Sequence, residues 1–301
     1  MKEIAINMPF CDSPTVLHKL SPTNPYVKKT VREYKEESTA DSTRGNFYLQ
    51  ILPIIKPQSA YCDNILAHLL KQEEKFNIKS SEAILKAHKI SISTRAKIID
   101  WMIEVIYKSE CNRQTLFLSV TLIDHFLLNS TNSYKNSDIH IIGVTAILLA
   151  SKLIDTESLD IDFIYEQVVH KKIPKKTIQY FETQMLKALK FHISVPTELE
   201  FLEAYWEKLE KERLNVMSQV QYLSTLNLYS IDMAAIKPSV RAAGSLGVAV
   251  KEIGDLSEEE LIRITGITVR ELREIMKKVE EHRIDFKKLY PKLKNALSYY
   301  K

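Results

Sequence analysis

The sequence predicts an all-α protein, on three observations. Glycine is scarce, at 6 of 301 residues, and sheet-rich folds and phosphate-cradling loops both draw on glycine for positive φ. From about Tyr61 onward, apolar residues recur at helical rather than alternating spacing. Two segments of small apolar residues, "HIIGVTAILLASKLID" and "KPSVRAAGSLGVAVKEIG", echo each other, and each ends in a lysine and an apolar pair. Ala, Gly and Ser let helices approach closely, so each segment reads as the central helix of its own bundle. Convergence of two buried helices on similar composition is the plainer account of the echo.

The elements follow in order. Residues 1 to about 56 hold Pro9, Pro14, Pro22, Pro25 and Pro53 among many Ser, Thr and Asn, and read as an unstructured tail. "YCDNILAHLLKQEEKF" sets Ile65, Leu66, Leu69 and Leu70 at helical spacing. "ISTRAKIIDWMIEVIYKSE" is a second helix, with Ser93 or Thr94 as its cap and Ile98, Trp101, Met102 and Val105 on one face. "RQTLFLSVTLIDHFLLN" carries the stripe Leu116, Val120, Ile123 and Leu127. "SDIHIIGVTAILLASKLID" follows, and "PKKTIQYFETQMLKALKFHI" opens at Pro174, a residue suited to a first helical turn. Its apolar set is Ile178, Phe181, Met185, Leu186 and Leu189. Pro196 turns Val195 away from helix and Thr197 can cap what comes next, so a second run of helices begins there. These are expected at 198–212, about 216–233, 238–253, 257–264 and 268–283, before a basic, tyrosine-rich tail.

Composition excludes several classes. The length suits two domains, and 45% hydrophobic with 27% charged residues is the balance of a globular protein. A net charge of +4, evenly spread, is too mild for a nucleic-acid stripe or a membrane-surface patch. No apolar run is long enough to span a bilayer, and the first residues show no secretory h-region. Cys11, Cys62 and Cys111 are scattered and odd in number, which fits a reducing compartment and no zinc site. The histidines show no metal-ligand spacing, so no metal and no cofactor is expected. His125 follows Asp124, but helix neighbours point about 100° apart and cannot form a catalytic dyad. No phosphate loop or nucleophile constellation suggests an enzyme.

In order and spacing, "TRAKIIDWMIEV", "TLIDHF", "GVTAILLASK" and "FETQMLKALKFHISVPT" resemble the cyclin box. "KPSVRAAGSLGVAV" with "LIRITGIT" resembles the C-terminal fold of mitotic-type (A/B-like) cyclins. The resemblance implies two tandem five-helix cyclin folds with an extra N-terminal helix. The expected divisions are a tail at 1–56, an N-terminal box with its preceding helix at 57–196, a C-terminal fold at 197–291 and a tail at 292–301. It implies a non-catalytic activating subunit of a cyclin-dependent protein kinase, one that positions the kinase C-helix and activation loop in cell-cycle control. Nucleus or cytoplasm, or both, is the expected location.

By register, the resemblance makes Lys152 and Glu182 the charged pair that faces the kinase. Leu149, Leu153, Leu186, Phe191 and Ile193 line the apolar groove, and Tyr61 and Ile65 are N-terminal helix contacts. Arg95 and Asp124 match a structural ion pair joining the first two box helices. Thr94, Lys97, Ile98, Trp101, Glu104 and His140 match a substrate-docking patch that captures Arg-x-Leu peptides from substrates or inhibitors. Without the register, Lys152 is simply a lysine at a helix C-terminus, favoured by the macrodipole. The chain departs from the family pattern where Thr94 and Lys97 replace apolar groups, where His140 replaces a glutamine, and where Leu153 and Ile154 precede Asp155. No Arg-x-x-Leu destruction box stands in the tail. The rival reading is a twin cyclin-fold transcription factor of the IIB type, which would call for a zinc ribbon and a strongly basic face.

Overall fold

The computed structural model describes residues 59–76, 82–209, 214–253, 257–293 and 295–296, and among these there is no strand. The tail expected at 1–56 lies outside the described residues. The first bundle holds α1 (Ser59–Lys75), α2 (Glu82–Ala87), α3 (Ile92–Lys108), α4 (Arg113–Asn129), α5 (Ile139–Ile154), α6 (Ile161–Phe163) and α7 (Lys175–Ala188). α6 continues into a π-helical turn at Ile164–Val168. The second holds α8 (Glu198–Glu207), α9 (Leu214–Tyr229), α10 (Ile231–Ala234), α11 (Pro238–Ile253), α12 (Glu258–Thr265) and α13 (Val269–Leu289).

Each small-residue helix is the centre of its bundle. α5 is buried on almost every side and packs on α3, α4 and α7; α11 packs on α8, α9 and α13. Glycine makes both approaches possible. A Cβ at Gly143 would lie 2.9 Å from Cγ1 of Ile98, and one at Gly244 would lie 2.6 Å from Cγ1 of Ile275. Those distances are shorter than any carbon pair tolerates, so Ala at either position must displace the facing isoleucine.

Several helix ends differ from the sequence reading. The cap of α3 is Ser91, not Ser93 or Thr94: its Oγ accepts from the Thr94 amide at 3.1 Å. Thr197 does cap α8, in a full capping box with Glu200. α8 stops at Glu207, short of the expected residue 212. The helix expected over 216–233 is two, because Ser230 caps α10 through the Met233 amide at 3.2 Å. The last helix runs past 283 to Leu289, since Phe286 continues its buried stripe of Leu272, Ile275 and Val279.

α3 also joins the two bundles. Arg95 is fully buried, and its Nε and Nη2 donate to the two carboxylate oxygens of Asp124 on α4 at 2.8 and 2.6 Å. Its Nη1 donates to the carbonyls of Leu228 and Tyr229 at the end of α9, at 2.9 and 3.2 Å. One turn on, the Asp100 carboxylate accepts from the Tyr229 hydroxyl at 2.8 Å and from the Asn295 amide at 3.0 Å. Asn295 and the buried Ala296 fall within the expected C-terminal tail, and here Asn295 bonds back onto α3.

Candidate partner-binding site

The end of α5 lies beside the middle of α7. α5 is so apolar that Lys152 is its one charged side chain, and it falls in the last turn, where the helix dipole favours a cation. Asp155 fixes that end. Its carboxylate accepts from the Asn112 amide at 2.7 Å and the Thr115 hydroxyl at 3.0 Å, which ties the close of α5 to the opening of α4. On α7, Ile178 and Met185 are buried and Glu182 lies between them at the helix edge. The result is a Lys152 Nζ to Glu182 Oε1 bond of 2.6 Å, with the side chains 46% and 18% exposed.

Apolar residues flank this pair along the chain. Leu153 and Phe191 are exposed, at 44% and 70%, while Leu186 and Ile193 are half-buried. Leu149 sits in the core beneath them. Phe191 is held out by the turn that ends α7. Its amide bonds Leu186 O at 2.9 Å and the Lys190 amide bonds Lys187 O at 3.0 Å, the two bonds of a Schellman motif. Lys190 and Phe191 both take left-handed φ, 50° and 61°, where glycine is the usual occupant. An exposed phenyl ring is thus carried on a turn whose backbone a non-glycine residue adopts at a cost. Ile65 is half-buried on α1; Tyr61 lies in the first turn of that helix, and its side chain lies outside the described residues.

The six docking-patch residues are not all surface. Ile98 is fully buried against Gly143 and cannot line a groove. The Thr94 hydroxyl is taken up by Ser91 Oγ at 2.7 Å in the cap of α3. Trp101 is partly exposed and rests on His140, with ring centroids 4.6 Å apart. Burial, aided by the Lys172 charge, pushes His140 down to about 4, so its ring is neutral at physiological pH. Glu104 is bound by Lys108 at 2.6 Å, and Lys97 is exposed.

Elsewhere, burial pushes the Cys111 thiol well above its ordinary range, and the Asp155 charge adds to this, so it is not a nucleophile. Among the described residues no group of His, Cys, Asp and Glu could hold a metal, and no helix is long and apolar enough to cross a membrane.

With this geometry in place, the family models "Cyclin, N-terminal domain" and "Cyclin, C-terminal domain" match residues 64–194 and 196–296. The chain belongs to the cyclin family. Mitotic cyclins are among its relatives: it is 29% identical over 223 residues to the G2/mitotic-specific cyclin-B3 of Gallus gallus, covering 73% of this chain and 53% of that one. It is 31% identical over 216 residues to Cyclin-A2 of Homo sapiens, covering 71% and 49%. This cyclin thus spans about half the length of the curated relatives it matches. A crystal structure of a viral cyclin from herpesvirus saimiri superposes with a TM-score of 0.62 at 16% identity, over 72% of this chain and 97% of that one, which establishes the same two-bundle fold.

Sequence reasoning missed Asp155 as an anchor and the reach of Arg95 into the second bundle. The first had a signal, an acid just past a helix end. The second had none, because a bond from residue 95 to residue 228 leaves no mark on local periodicity.

Proposed function

We propose that this cyclin is the activating, non-catalytic subunit of a cyclin-dependent serine/threonine kinase, acting in the nucleus, the cytoplasm or both. The observation that carries the reading is the partly solvated Lys152–Glu182 pair on helices that also carry or end at the exposed Leu153 and Phe191. A kinase helix laid across that rim removes water from it. Charged hydrogen bonds to the ends of the incoming segment then form in a dry setting, where each is strong. Leu153, Leu186, Phe191 and Ile193 supply the apolar contact, and Tyr61 and Ile65 extend it along α1. Leu149 supports Leu153 from below rather than touching the partner in the free protein. Binding energy spent on one kinase conformation shifts its equilibrium toward that conformation, which is all the activation requires.

The division at 57–196 and 197–291 assigns the kinase-facing surface to the first box, and leaves the second to hold α1 and α3 in place. The surface around Trp101 is a weakened docking patch for substrates or inhibitors. Affinity capture from the native cell tests the reading: a cyclin-dependent kinase with phosphotransfer activity should be recovered, and recovery of none would overturn it.

A further inference from the structure

α1 has few anchors. Its buried side chains among the described ones are Leu66, Leu69 and Glu73, while Leu70 on the other side is exposed. That a carboxylate should be one of three buried groups on a surface helix calls for a partner, because burying an unpaired charge is costly. The partner is the first turn of α11. Glu73 Oε1 accepts from the Ser239 backbone amide at 2.7 Å, and the Ser239 hydroxyl donates to Oε2 at 2.7 Å. Pro238 opens α11 and has no amide hydrogen, so the Ser239 amide is the first donor that the helix leaves unmet. A carboxylate there is also favoured by the helix dipole.

The same serine is held from its other side. Tyr205 on α8 donates its hydroxyl to Ser239 O at 3.3 Å. A second link, Lys208 Nζ to Asp63 Oδ1 at 2.7 Å, joins α8 to the N-terminal part of α1 but is largely solvated and so weak. α1 is therefore placed by the second bundle, against α8 and α11, at a carboxylate that spans 166 residues of sequence.

We propose that Glu73 is a positioning residue for kinase binding: by capping α11 it fixes where α1 presents Ile65. The inference rests on the kinase reading above, since only a partner that touches both α1 and the Lys152–Glu182 rim makes the placement of α1 matter. It gives the second bundle a defined part in activation without any contact to the kinase.

The test uses the full chain and, as probe, the purified kinase that wild type captures from its own cell extract. Half-activating concentrations are measured for Glu73→Ala, Ile65→Ala, their double variant, Ser239→Ala and Lys152→Ala. Amide hydrogen exchange is followed over residues 59–75 and 139–154. Glu73→Ala should weaken activation about tenfold, since both charge-assisted hydrogen bonds that place α1 are lost. The double variant should be no worse than the poorer single one, because both remove what α1 contributes. Exchange should quicken in 59–75 and stay unchanged in 139–154. Ser239→Ala keeps the backbone donor and should show a smaller shift of the same kind, which covers the case in which Glu73→Ala folds poorly. Wild-type activation by Glu73→Ala beside a weakened Lys152→Ala would overturn the inference and leave the kinase reading standing. Full additivity with Ile65→Ala, or unprotected amides throughout 139–154, would mean that Glu73 serves general stability and not placement. No effect from Lys152→Ala would instead overturn the kinase reading, and the activation part of this inference with it.

Discussion

At Arg95 one guanidinium serves both bundles. Two of its nitrogens meet Asp124, and the third caps the carbonyls that end α9. Removing the carboxylate leaves a buried cation with only those carbonyls, so Asp124→Ala should cost about 3–5 kcal/mol, read as a lower urea midpoint. A variant that melts like wild type would contradict the structural role. Glu203 behaves differently. Partial loss of water around its carboxyl pushes it up to about 7, and the Glu200 and Glu207 charges one turn to either side add to this. Its folded pKa thus exceeds the unfolded one, so the folded state holds the proton more tightly. That contribution is present below the ordinary carboxylate range and is lost as pH rises through about 7. Glu203→Gln should melt higher than wild type above that pH, with the difference closing in acid. The gain is small because the side chain remains exposed to solvent. Equal melting at all pH values would show that the Glu203 carboxyl is not raised.

At the scale of elements, α2, α3 and α7 end alike. Lys89, Glu110 and Lys190 each take a left-handed φ just past the helix, and the residue after each bonds back five positions to a helix carbonyl. None is glycine. Glu110 is exposed, so Glu110→Gly should remove the steric cost of that conformation and raise stability by about 1 kcal/mol. A lower melting temperature would contradict this. The exposed face of α3 makes a separate prediction. With Thr94 tied into its cap, Ile98 in the core, Glu104 held by Lys108 and Lys97 facing out, an Arg-x-Leu peptide meets little apolar surface and an adverse charge. Such a peptide should bind weakly in a fluorescence titration. Micromolar binding that Trp101→Ala abolishes would be the contrary result.

In the whole molecule, the two bundles share a plan and differ where the partner site lies. Aligning the buried Ile178 and Met185 of α7 with Leu272 and Val279 of α13 sets Glu182 against Met276. The Met276 sulfur lies 2.8 Å from where a Gly247 Cβ would be, so α13 closes onto α11 with no charged pair at that position. The scarcity of glycine, the helical stripes and the two small-residue helices made the architecture legible, since each is a local pattern that packing then uses. The register of motifs made Lys152 and Glu182 legible as neighbours. Ile98 was misplaced in the docking patch because the register of motifs does not say how closely Gly143 lets α5 approach. The bonds from Glu73 to Ser239 and from Arg95 to Leu228 join residues far apart in sequence, and no window of the chain contains both ends.

The claim that depends on all of this is that Lys152 and Glu182 bind a kinase rather than hold the fold. Their bond is partly solvated, so either can be lost at little cost to the free chain. In a dry interface the same loss costs about 2–5 kcal/mol. The direct measurement is a titration of kinase activity against Lys152→Ala, Glu182→Ala and the double variant, with thermal melts of each isolated chain. The account predicts melts within a few degrees of wild type, activation weakened at least about thirtyfold by either change, and a double variant little worse than the poorer single one. Full activation at wild-type concentrations by either single variant would contradict it, and would leave Lys152 as a lysine that ends a helix.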